Sequence, residues 1–135
     1  PSWKHTDVKA VLALSPYVLP FMTQRTLARL DVPVMYQGAQ FDWGITTSLE
    51  GAQGAYAVTA APKYFVKLRG GTHLEWVNLL CSGQPSVVAC LKAKPNAYLI
   101  DRYGIEFLDR HLKNKPSALL DGKGRGLDVY RFELP

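Results

Sequence analysis

Three short apolar runs limit what this chain can fold into. Val8 to Leu14 (VKAVLAL) is ended by Ser15 and Pro16, Val32 to Tyr36 (VPVMY) by Gly38, and Tyr64 to Leu68 (YFVKL) by Gly70 and Gly71. Each is too short for a buried helix and too continuous for a strand wetted on one face, so each predicts a strand covered on both faces, as in a parallel sheet. Parallel strands need a crossover between them, and the intervening stretches suit one. Leu19 to Leu30 offers an apolar edge at Leu27 and Leu30, and Ser48 to Ala61 is rich in alanine and glycine. A third helix is predicted from Asn96, an N-cap after Pro95. Leu99, Ile100, Tyr103, Phe107, Leu108 and Leu112 then recur at helical spacing to Lys113, with Pro116 as the stop.

Strand and helix in alternation predict an α/β layered domain with right-handed parallel crossovers. The glycine-rich stretch at Gly122 to Gly126 is expected to lead into a short extended segment, Leu127 to Leu134, lying on the surface. Three strands leave the first run as an apolar, unpaired edge, so a further element is expected beside Val8 to Leu14.

Composition narrows the function classes. With 47% hydrophobic and 20% charged residues in 135, the chain has the material for one globular core. No apolar run approaches the roughly eighteen residues that a membrane-spanning helix needs, and no signal pattern opens the sequence, so a soluble protein is expected. The net charge of +5 is spread thinly: nine basic against five acidic residues up to Ile100, seven against six beyond. No basic block interleaved with aromatics tracks phosphates, so nucleic acid is not an expected partner. Cys81 and Cys90 flank eight residues that include Gly83 and Pro85, a spacing for a small closed loop and not for a zinc knuckle. Both the free thiols and the disulfide stay open on this reading. A disulfide favours a secreted or periplasmic host.

Ligand sites in open α/β sheets lie beyond the carboxyl ends of the strands. Two loops qualify. Gly38-Ala39-Gln40-Phe41-Asp42 puts a carboxylate after the second run, and Gly70-Gly71-Thr72-His73 puts an imidazole after the third, where glycines allow tight turning. An acid that accepts a hydrogen bond from one imidazole nitrogen fixes the tautomer and leaves the other nitrogen to take a proton from a nucleophile.

These residues, in this order, resemble the α/β-hydrolase family, and within it the dienelactone-hydrolase-like, platelet-activating-factor-acetylhydrolase-like and cutinase-like esterases. Val8 to Ser15 with Pro16 resembles the family's strand after the nucleophile helix, Pro33 to Ile45 its acid-bearing strand and loop, and Pro62 to Trp76 its histidine loop. Asp42 and His73 stand 31 residues apart, as in such enzymes. The resemblance runs from Val8 to about Lys115. It implies that residues 1–135 are the C-terminal half of one α/β-hydrolase domain of three αβα layers. It implies carboxylic ester hydrolysis with Asp42 as triad acid and His73 as base, and no metal or other cofactor.

The family's chain order is Ser, Asp, His, with the serine on a Gly-x-Ser-x-Gly elbow before the first of these strands. The seven residues PSWKHTD hold no such elbow. The expected partner is therefore an N-terminal half carrying that serine, whether this chain is a cleaved or nicked product or a fragment, and the chain alone is expected to be inactive. Ser15, ahead of Pro16, lacks the strand-to-helix turn and is not taken as the nucleophile. Tyr17, Trp43, Ile45 and Trp76 are candidates to wall the pocket for a small ester, against the plainer reading that they pack. Asp42 could instead cap the stretch after it, and Glu50 and Glu75 are weaker alternative acids. His5 is expected at the surface and His111 at a helix C-terminus that favours its charged form. The competing class is a non-catalytic partner-binding α/β module that docks another chain on the same open edge.

Overall fold

The computed structural model describes residues 7–19 and 24–135. His5 and part of the first predicted crossover lie outside them. The sheet has four strands in the order β1 (Val11–Leu14), β2 (Val34–Ala39), β3 (Lys63–Leu68) and β4 (Leu127–Glu133). The first three are parallel, and β4 runs antiparallel to β3. The chain is thus an α/β protein with a mixed sheet.

Side chains leave a strand on alternate sides, and β2 separates the two cores cleanly. Met35 and Ala39 join Tyr64, Val66, Leu68, Leu120 and Leu127 under α5 (Ala97–Lys113), through its residues Ile100, Tyr103 and Phe107. Val34 and Tyr36 face the other way, with Phe65, Leu27, Leu49, Ala55 and Tyr56. That second face is covered by three short helices: α1 (Gln24–Leu27), α2 (Trp43–Glu50) and α3 (Ala55–Val58). Helices on both faces explain why the three apolar runs show no alternation.

Several expectations need correction. The second strand does not stop at Gly38 but runs on to Ala39. Gly38 is there because α2 crosses close by: a Cβ on it would sit 2.7 Å from Thr46 Oγ1, the atom that accepts from Ala39 N–H at 2.9 Å. Ser48 to Ala61 is not one helix. The second crossover starts earlier, at Trp43, and Gly51 and Gly54 divide it, the latter so tightly packed that a Cβ would meet Gly51 N and Leu49 O at 2.7 Å. The tail is a full sheet strand, with Phe132 stacked on Tyr64 at a 6.2 Å centroid separation. The long helix ends on Asn114 in the left-handed region, two residues before Pro116. A helix not foreseen, α4 (Val87–Ala93), opens on Ser86, whose Oγ accepts from Ala89 N–H at 3.2 Å.

β1 pairs with β2 and, among the described residues, with nothing on its other side. It is shorter than the run Val8 to Leu14, and it is half-buried where full burial was expected, with Leu14 44% exposed. Helix α5 reaches over to it nonetheless: Gly104 lies so near that a Cβ there would be 3.0 Å from Leu12 Cδ2.

His111 also differs from expectation. It lies in the last turn of α5, but its ring packs against Tyr64 and Phe107, and its Nε2 is 3.1 Å from the Tyr64 hydroxyl. Burial first, and then the Arg110 charge, hold its pKa below the ordinary histidine value, against the pull of the helix dipole. The unfolded chain then binds a proton more readily than the folded one. Stability from this group is full above about pH 6.5 and is lost as pH falls toward the lower folded value. His111→Gln is expected to flatten the loss of urea midpoint between neutral and mildly acidic pH. An unchanged slope would show that another group carries it.

Candidate active site

The candidate site forms where the carboxyl ends of β1, β2 and β3 meet. Asp42 follows β2 by three residues and occupies the N-cap position of α2, its carbonyl accepting from Thr46 N–H at 2.8 Å. An aspartate at that position ordinarily turns its side chain back onto the helix N–H groups. Asp42 makes no such side-chain bond. Its carboxylate points instead across the strand ends, where Oδ2 lies 3.3 Å from His73 Nδ1 and accepts from the Ser15 hydroxyl. The group is 7% exposed and stands at the N-terminal end of α2.

The histidine loop is built to hold one ring. Gly70 takes a positive φ of 66°, and its N–H donates to Gln40 Oε1 at 2.9 Å. Phe41 N–H donates to Gly71 O at 2.8 Å, so the acid loop and the histidine loop are tied through their backbones. Gly71 is packed on three sides, by Ala39, Asn96 and Glu75. Thr72 caps the 3-10 turn His73–Trp76 by accepting from Leu74 N–H at 3.3 Å. His73 itself is 49% exposed. Its Nδ1 faces the carboxylate, and Nε2, on the far side of the ring, is turned away from it.

Two residues hold this loop from behind. Gln37, fully buried on β2, donates to Ile100 O at 3.1 Å and accepts from Trp76 Nε1–H at 3.3 Å. Asn96 Nδ2 donates to Glu75 Oε1 at 3.3 Å and approaches Arg69 O at 3.5 Å. Glu75 is therefore a buried support under the turn, its Oε2 lacking a hydrogen-bond partner among the described residues. Glu50 is taken up by Lys67, which also meets Asp128, at 3.0 and 3.3 Å. Burial disfavours the Lys67 charge, but the two carboxylates outweigh it and keep its pKa raised.

The four candidate pocket residues separate. Tyr17 and Trp43 are exposed, Trp43 edge-on to Phe41 at 6.1 Å, and Ile45 is half-buried on the first turn of α2. Trp76 is part-buried, packs against the α5 core and is bonded to Gln37, so it supports the turn from inside. The largest of the surface depressions described, about 860 Å³, lies between α2, α3 and β4, bordered by Glu50, Tyr56, Lys123 and Glu133. It does not touch Asp42 or His73. Among the described residues, no group of three or more His, Cys, Asp and Glu could hold a metal ion.

Cys81 and Cys90 are joined, linking the turn Asn78–Cys81 to α4. A cross-link closing so short a loop contributes on the order of 2–3 kcal/mol by restricting the unfolded chain. Among the described residues no helix is long and apolar enough to cross a membrane.

Comparison with known protein families and with curated protein sequences finds no match to this chain. What the residues can do therefore rests on their geometry. A buried carboxylate and a half-exposed imidazole meet at parallel strand ends, an arrangement with the chemistry for proton transfer through Nε2. Gln37 escaped the sequence reading, and Asn96 was foreseen only as an N-cap, whereas its side chain makes no cap bond and turns to Glu75 under the histidine turn. Gln37 stands directly after the run Val32 to Tyr36, ahead of Gly38, a place that held no sign of a buried role.

Proposed function

We propose that this chain supplies the acid and the base of a Ser-His-Asp carboxylic ester hydrolase, an α/β-hydrolase of the cutinase-like or dienelactone-hydrolase-like kind. The serine comes from a segment outside this sequence that docks along β1. One observation carries the reading: a carboxylate at a helix N-cap gives up its cap bond to meet an imidazole and a hydroxyl. The alternative, a non-catalytic partner-binding module, would use the same open edge. It gives that diverted carboxylate no task.

In the proposed reaction, His73 Nε2 takes the proton of the incoming serine hydroxyl as its oxygen attacks the ester carbonyl. The imidazolium passes that proton to the departing alcohol, leaving an acyl-serine. Water then attacks the acyl carbon, His73 accepting its proton and returning it to the serine as the acid is released. Asp42 holds the ring and stabilises its charge at each stage. The oxyanion donors belong to the serine-bearing segment. Tyr17, Trp43 and Ile45 stand at the rim where an ester would lie, and short esters, lipid esters, polyesters and dienelactones all fit this chemistry. The disulfide favours an extracellular or periplasmic setting.

The isolated chain is expected to resist labelling by a serine-reactive fluorophosphonate and to leave a p-nitrophenyl ester intact. Joined to a segment with a Gly-x-Ser-x-Gly elbow, it should gain both. Labelling of the isolated chain would overturn the assignment.

A further inference from the structure

Ser15 is the third member of the cluster, and the sequence offers no direct sign of it. It follows β1, is 4% exposed, and its N–H completes the ladder by donating to Gln37 O at 2.9 Å. Its φ is +42°, in the left-handed region that a residue with a Cβ enters only at a cost. Strain of this kind persists where surrounding contacts over-determine it. Here the hydroxyl is fixed from two sides, by Asp42 Oδ2 and, at 2.9 Å, by His73 Nδ1.

The proton count decides the direction of both bonds. An ionised carboxylate can only accept, so the single hydroxyl proton of Ser15 goes to Asp42. What Ser15 then presents to His73 is an oxygen lone pair, and a contact of 2.9 Å to Nδ1 requires the proton to be on that nitrogen. The same N–H also faces Asp42 Oδ2 at the longer distance of 3.3 Å. Neutral His73 is thereby held with Nδ1 protonated and the Nε2 lone pair outward. The arrangement also bars Ser15 from acting as nucleophile, since it stands on the nitrogen that has no lone pair to give.

We infer that Ser15 is a positioning residue: its hydroxyl bridges Asp42 to His73 and fixes the Nδ1–H tautomer of the base. This deepens the esterase reading and rests on it for its consequence. The tautomer itself can be measured without any turnover.

The test uses the full chain labelled with 15N, with long-range proton–nitrogen spectra recorded at a pH where the rings are neutral. His73→Gln identifies the resonances of His73. Wild type should show a protonated Nδ1 and an unprotonated Nε2. In Ser15→Ala the ratio of Nδ1–H to Nε2–H should fall by about tenfold, the loss expected for one hydrogen bond. Ser15→Gly removes the same hydroxyl while relieving the backbone, and should give the same fall. An unchanged ratio in both variants would overturn the inference, as would an effect confined to Ser15→Ala or a wild-type ring protonated on Nε2. Failure of the esterase reading appears elsewhere, as absent fluorophosphonate labelling in the joined protein with the tautomer intact.

Discussion

Asp42→Asn is expected to lower ester turnover by about four orders of magnitude in the protein joined to its serine-bearing segment, with little change in thermal stability. Asn can donate an amide proton to His73 Nδ1. The ring then settles with Nε2 protonated, and the nitrogen facing the serine can no longer act as a base. Stability should hold because Asp42 makes no side-chain cap bond to α2, so the substitution removes none. A residue serving only as a cap would behave in the opposite way. Its replacement by Ala would cost about 1 kcal/mol and leave turnover alone. Measuring kcat beside the unfolding midpoint separates the two, and retained turnover in Asp42→Asn would remove Asp42 from the mechanism.

That contrast marks how far the sequence could be read. The three parallel strands were legible as short continuous apolar runs, which burial on both faces explains for β2 and β3, while β1 keeps such a run at a half-buried edge. The long helix was legible because Leu99 to Leu112 carries its period over four turns and α5 buries that face. β4 was legible as an extended segment but not as a member of the sheet, although it forms a full edge of it. Its pairing joins residues far apart in the chain, Lys63 with Glu133 and Leu68 with Leu127, and both of its faces carry mixed side chains. Local pattern holds no record of such a partner. The fragmented second crossover shows the same limit from another side. Gly51 and Gly54 were visible, but only the packing around Leu49 reveals why they break the helix.

Within the site, Asp42 and His73 were legible because strand ends and glycines select those loops before any coordinates exist. Ser15 was legible in position only. Its place after β1 follows from the ladder, whereas the left-handed turn that aims its hydroxyl depends on contacts from two other loops. Trp76 follows the plainer of its two readings, packing. An aromatic residue three positions after the base suggests a pocket wall, yet the turn His73–Trp76 rotates the indole inward to Gln37.

That inward bond predicts the second large effect. Gln37→Leu keeps the side-chain volume but should destabilise the chain by about 2–3 kcal/mol, the cost of leaving a buried polar group unpaired. Trp76 Nε1–H would lose its acceptor, and Ile100 O its contact from β2. Ordinary hydrophobic reasoning gives the wrong sign, since adding apolar surface to a fully buried position would be counted as a gain. The consequence also travels to the base. Trp76 closes the turn that starts at His73, so freeing the indole loosens the histidine loop at its far end while the tie from Phe41 to Gly71 stays in place. In the joined protein kcat should drop by about tenfold. A urea titration reads the first effect as a lower midpoint at constant slope. A loss below about 0.5 kcal/mol, within the range of ordinary surface changes, would mean that Gln37 does not support the turn.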